Sequence, residues 1–334
     1  MIGVGIVGCG RIVEEGHAPA FEKLSDRFRV VAVADASAER RDLIGDRFGV
    51  TAKNRFSGWD GLFACDDVEL IDMALPHSLH RPSCVAAAAT GKPILMEKPM
   101  ATSMEDADAI MAAVQKSGVQ ACIVHNYLYF PHHARALELI HEGAIGRPFL
   151  FRSEGLSASH WPGTGAYDPA WRTKAGISGG GPLIDNAYHN LYGAAGFMGS
   201  LPVEVYAKLG RFVRDIEVED TVSVTLTHAN GGFSTILVGW SAGAAKRVQE
   251  VHGTEGSLLF DHEGHAIAIF RDGEWEFPEV GERRFGFEAL FAEYADALEA
   301  GKPPPVPFSE GYRNLKVVMG AYESSRTGLP VKLA

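Results

Sequence analysis

The stretch Ile2-Gly3-Val4-Gly5-Ile6-Val7-Gly8-Cys9-Gly10-Arg11-Ile12-Val13 decides the fold. An apolar, β-branched run reads as a buried strand, closely spaced glycines break it, and a helix-like segment follows, as a dinucleotide-binding βα turn requires. Gly8 allows the tight turn. Gly10 lets a pyrophosphate approach bare backbone at a helix N-terminus, with Cys9, Arg11 and Ile12 completing the cradle. The acid that accepts from the adenine ribose hydroxyls is expected at the end of the second strand, and Arg29-Val30-Val31-Ala32-Val33-Ala34 runs into Asp35. Val13 departs from the fingerprint, being bulky where a third glycine or alanine lets helix and strand pack closely. A carboxylate at Asp35 repels a ribose phosphate and favours NAD, while Arg40 and Arg41 leave NADP open if their helix turns them toward the ribose.

Outward from that turn, helix and strand alternate. Strands are expected at 29–34, 68–74, 94–96 and 119–124, with helices at 17–26, 38–48, up to Thr90, and from Met104 to Gln115. Such alternation with short links implies a Rossmann-type parallel sheet, covered by helices on both faces, over residues 1–124. Ligands lie beyond the carboxyl ends of its strands. Two ends stand out: Leu75-Pro76-His77, with His80 one helical turn further on, and Glu97-Lys98-Pro99. A lysine and a glutamate paired at a buried strand mouth cost desolvation that chemistry on a bound ligand explains, although a surface ion pair capping the strand fits the same residues.

After Val124 the alternation stops, and residues 125–334 read as an α+β domain with a large, mainly antiparallel open sheet. Thr221 to Thr227 alternates strictly, and Asn230-Gly231 makes a hairpin turn into 233–240. Helices at 287–299 and 310–325 flank Pro303-Pro304-Pro305. The segment 162–178, rich in glycine and aromatics, reads as a substrate or cofactor loop containing Trp171-Arg172. Tyr127, His160, Trp161 and Tyr167 are expected to shape the substrate. Gly179-Gly180-Gly181-Pro182 announces a helix start, with Asp185 in its first turn, His189 on the same face four residues later, and Tyr192 continuing it. A carboxylate beside an imidazole raises its pKa and fixes its orientation, as a general base near neutrality needs. A capping aspartate and a core histidine fit the same spacing.

Length and composition bound the remaining choices. A chain of 334 residues suits two domains, each with its own core, and 46% hydrophobic against 22% charged residues describes a soluble globular protein. No apolar run reaches membrane-spanning length, and a strand beginning at residue 2 leaves no room for a signal peptide, so a cytoplasmic location is expected. A net charge of −11 without a basic cluster argues against nucleic-acid or membrane partners. Cys9, Cys65, Cys84 and Cys122 are widely spaced, suggesting reduced thiols rather than a disulfide framework or a zinc site; no metal is expected.

Together, Gly8-Cys9-Gly10-Arg11-Ile12, Asp35, Leu75-Pro76-His77 with His80, Met96-Glu97-Lys98-Pro99-Met100, and the glycine cluster before Asp185 and His189 resemble the Gfo/Idh/MocA oxidoreductases. The resemblance covers nearly the whole chain. It implies a nicotinamide-dependent dehydrogenase acting on a secondary alcohol of a sugar, cyclitol or related polyol, with Lys98 beside the reacting carbon, His189 as proton acceptor and Asp185 on a neighbouring substrate hydroxyl. By the same resemblance, the open sheet face carries the contacts of a homodimer or homotetramer. An aspartate often stands three residues after the histidine in this family, where this chain has Tyr192. Two alternatives accompany the resemblance: an NAD-dependent glycoside hydrolase of the same family, and a dinucleotide-binding regulatory protein without turnover.

Overall fold

The computed structural model describes residues 1–157, 168–281 and 286–333. The β-branched run forms β1 (Ile2–Val7), followed by α1 (Ala18–Lys23), β2 (Phe28–Ala34), α2 (Ala38–Arg47), β3 (Arg55–Phe56), α3 (Trp59–Phe63), β4 (Leu70–Met73), α4 (His80–Ala88), β5 (Ile94–Met96), α5 (Met104–Ser117) and β6 (Ala121–Ile123). All strand pairs are parallel, in the order β3-β2-β1-β4-β5-β6. That order reverses between β1 and β4, so the crevice lies where Gly8 and Leu75 leave the sheet. Helix ends follow local chemistry. The Ser37 and Ser103 hydroxyls accept N–H groups at the starts of α2 and α5, and Gly118, at φ +70°, ends α5.

The second half contains α6 (Pro131–His141), β7 (Pro148–Leu156), α7 (Ala175–Ser178), α8 (Tyr188–Met198), β8 (Pro202–Gly210), β9 (Thr221–His228), β10 (Phe233–Gly239), β11 (Lys246–Gly253), β12 (Ser257–His262), β13 (His265–Arg271), β14 (Glu274–Glu276), α9 (Phe287–Glu299), α10 (Phe308–Thr327) and β15 (Val331–Lys332). Nine strands form one sheet in the order β14-β13-β12-β11-β7-β10-β9-β8-β15, antiparallel except for the β7–β10 pair. The register sets Val205, Leu226, Ser234, Phe151, Val251 and Leu258 side by side on the buried face. The opposite face carries Tyr206, Thr225, Thr235, Arg152 and Glu250 in one row. Asn230-Gly231 makes the expected turn, with Gly231 at φ +82°.

Two departures from the sequence reading bear on the site. The helix after the glycine turn opens with a π turn at Val13–His17, beginning at the bulky residue, and a second π turn, Leu183–Ala187, precedes α8. Beyond that turn Leu191 and Ala194 of α8 are buried in the core, and Ala195 is partly exposed. In addition, α9 returns to the first domain. Phe287 and Phe291 flank His17, and the Tyr294 hydroxyl lies 3.1 and 3.0 Å from the carbonyl oxygens of Ile94 and Gln120.

Candidate active site

The glycine turn is fixed by what surrounds it. Gly8 sits at φ +89°, and a Cβ there would lie 2.3 Å from the Ala74 carbonyl oxygen and 3.2 Å from the Leu75 side chain. Only glycine fits. Asp35 braces the turn, Oδ2 accepting the Cys9 N–H and Oδ1 the Ser37 N–H, both at 2.7 Å. Each oxygen retains a lone pair for a ribose hydroxyl. The Gly10 and Ile12 N–H groups find no acceptor among the described residues. Unpaired donors at a helix start, beside a glycine that brings backbone close, are what a pyrophosphate takes, so the residues present fit a dinucleotide. Arg40 and Arg41 are engaged by the turn itself. Arg40 Nε donates to the Cys9 carbonyl (2.7 Å), Arg40 Nη1 pairs with Glu14 (2.8 Å), and Arg41 donates to the Asp35 carbonyl (2.9 Å). Burial pushes the Cys9 thiol up, so it stays protonated.

Beyond β4, Pro76 leads into His77, whose Nδ1–H donates to the Ser178 carbonyl (2.7 Å) and whose ring meets Trp171 edge-on at 4.9 Å. His80 is fully buried, its ring nitrogens 2.7 and 2.9 Å from the carbonyl oxygens of Pro99 and Leu75. It ties the ends of β4 and β5 together beneath the site.

Glu97 and Lys98 do not pair with each other through their side chains, which corrects the sequence reading of this strand mouth. Successive side chains of an extended segment point to opposite faces. Glu97 turns inward to His17 Nε2 (3.0 Å), and its other oxygen accepts the Lys98 N–H (3.0 Å). The remaining nitrogen of His17 lies 2.9 Å from Asp72. Burial opposes a charge on His17, but Asp72, then Glu97, outweigh it and raise the imidazole to about 10. A buried imidazolium bridging two carboxylates thus lies under the β5 end.

Lys98 turns outward across the domain boundary. Its ammonium donates to the Asp185 carbonyl oxygen (2.8 Å) and to Asp185 Oδ1 (3.1 Å), leaving one of its N–H groups for a ligand. Arg172 Nε lies 3.4 Å from Asp185 Oδ2, with its guanidinium 4.4 Å above the Trp171 ring. Burial would push the Asp185 carboxyl up, yet the Lys98 and Arg172 charges hold it well below the usual range.

His189 differs from expectation. Its Nδ1 meets the Tyr192 hydroxyl at 2.7 Å, not Asp185, and burial followed by the Lys98 charge pushes the ring well below, not above, its usual value. The imidazole is neutral at physiological pH. Tyr127 stacks on it at 3.8 Å, and His125 stacks on Tyr192 at 4.0 Å. Burial, then Lys98, lowers His125 to about 3.

Arg11 beside the glycine turn, Tyr127, Asn186, Asn190, Trp240 and Arg247 line a cleft of about 500 Å³, with Asn186 accepting the Trp240 indole N–H at 2.6 Å. His160, Trp161 and Tyr167 lie outside the described residues. Sequence reasoning missed His17 and His125. For His17 a signal existed: Asp72 inside the apolar run Leu70-Ile71-Asp72-Met73 demands a buried cationic partner. No such signal marked His125.

The family model described as an oxidoreductase family with an NAD-binding Rossmann fold matches residues 2–125, and that of the GFO/IDH/MocA C-terminal domain matches 133–259. Levoglucosan dehydrogenase of Pseudarthrobacter phenanthrenivorans is 26% identical over 95% of this chain and 87% of its own. Inositol 2-dehydrogenase of Rubrobacter xylanophilus is 28% identical over 99% of this chain and 93% of its own. A solved structure of levoglucosan dehydrogenase with NADH and levoglucosan superposes with a TM-score of 0.88 at 25% identity, covering 99% of both chains.

Proposed function

This chain belongs to the Gfo/Idh/MocA oxidoreductases and is an NAD-binding enzyme of that family, and on that premise we propose that it interconverts a secondary alcohol and its ketone in a sugar, cyclitol or related polyol. Relatives that act on levoglucosan and inositol support the substrate class. The observation that carries the reading is the Lys98 ammonium, delivered from the first domain onto Asp185, one turn before His189 in the second. NAD, when bound, supplies the hydride acceptor, and Gly8, Gly10 and Asp35 would hold it.

The protein side chains divide the rest of the work. The free N–H of Lys98 stabilises charge developing on the reacting oxygen. Neutral His189 exchanges the hydroxyl proton, its ring held flat under Tyr127. Asp185, kept ionised by two cations, accepts from a neighbouring substrate hydroxyl and orients the sugar. The test is a screen of sugars, cyclitols and their keto forms with NAD and NADP, read at the nicotinamide absorbance band. Turnover of a polyol is the expected result. Normal NAD binding with no turnover across the panel overturns the reading.

A further inference from the structure

The hydroxyl of Tyr192 has two neighbours among the described residues. The Tyr127 N–H, 3.2 Å away, can only donate, so the Tyr192 oxygen accepts there. The single proton of the hydroxyl then goes to its other neighbour, His189 Nδ1 at 2.7 Å. A nitrogen that accepts carries no proton, so the neutral ring holds its hydrogen on Nε2. No carboxylate touches Nδ1. Asp185, on the preceding turn, is taken by Lys98 and Arg172, and the other groups facing the ring are Tyr127, stacked on it, and the neutral His125 and His133.

We infer that Tyr192 is a positioning residue that holds His189 in its Nε2–H tautomer, so that the resting site offers two donors to the reacting oxygen, the His189 Nε2–H and the free N–H of Lys98. The inference rests on the role proposed above for His189. A carbonyl oxygen accepts from both donors at once, whereas an alcohol must turn its own proton elsewhere. Accepting an alcohol proton at Nε2 requires the other tautomer, with Nδ1–H donating to a Tyr192 oxygen that has turned its hydrogen away. The resting site is therefore built around the ketone, and a hydroxyl, unlike a carboxylate, is a partner able to serve either tautomer.

The test is nitrogen NMR of the ¹⁵N-histidine-labelled enzyme with NAD bound at neutral pH, the His189 signals being assigned by their loss in His189→Gln. The expected spectrum has an unprotonated Nδ1 and a protonated Nε2. In Tyr192→Asp the carboxylate can only accept, so the two assignments exchange and the ring titrates about one pH unit higher or more. In Tyr192→Phe the Nδ1 signal moves toward that of free imidazole. A protonated Nδ1 in the unaltered enzyme, or an Nδ1 signal unmoved in folded Tyr192→Phe, overturns the inference. These spectra read the ring and not turnover, so a wrong substrate class leaves them as they are, while a wrong tautomer leaves the polyol screen as it is.

Discussion

His17 offers a prediction that depends on no ligand. Its imidazolium is fully buried between Asp72 and Glu97, at 2.9 and 3.0 Å, and titrates at about 10 in the folded chain against 6.5 when unfolded. The folded state thus holds one more proton than the unfolded state between those values. The stability this adds is complete below pH 6.5 and is lost as pH rises through 10, at about 1.4 kcal/mol per pH unit. Over the whole window that is on the order of 5 kcal/mol, enough to matter for a protein of ordinary stability. The triple variant His17→Gln, Asp72→Asn, Glu97→Gln carries none of the three charges, so its stability lacks this component. Urea unfolding of both proteins at intervals from pH 6 to 10 measures the difference and cancels the titrations they share. The gap should shrink steadily with rising pH. A gap independent of pH across that range refutes the charged bridge.

Other consequences follow from the same geometry. Gly8→Ala places a Cβ 2.3 Å from the Ala74 carbonyl oxygen at φ +89°, and thermal unfolding should show a loss of about 2 kcal/mol or more; an unchanged midpoint contradicts the close approach. Asp35→Ser removes the carboxylate that braces the turn and repels a ribose phosphate, so fluorescence titration should find the NADP to NAD affinity ratio raised about tenfold or more; an unchanged ratio contradicts that role. The row of Tyr206, Thr225, Thr235, Arg152 and Glu250, on the sheet face opposite the core, is proposed as a contact between copies, and light scattering should find a dimer or tetramer. A monomer at micromolar concentration contradicts it.

What the sequence made legible was local. The order strand, glycines, helix and acid lies within 35 residues, and each step has its own chemical signal. The same holds for the glycine cluster leading to Asp185 and His189. Contacts across long chain separations were hidden. His17 finds its partners 55 and 80 residues away, and α9 returns to cover a helix of the first domain. Side-chain direction was hidden too: adjacency of Glu97 and Lys98 suggested a pair, but strand geometry sends them to opposite faces. The Asp185–His189 spacing suggested a couple, yet Lys98 competes for the carboxylate and Tyr192 for the ring. Short edge elements such as β3, β14 and β15 carry too few residues for a periodic signal.

The central claim is that Lys98 and His189, from different domains, act on one reacting oxygen. Lys98→Met is the direct measurement, with steady-state turnover of the polyol found in the screen set beside NAD affinity from fluorescence titration. Turnover should fall about 100-fold to 1,000-fold, the loss typical of one preorganised donor, with NAD affinity unchanged. Undiminished turnover in that variant contradicts the account.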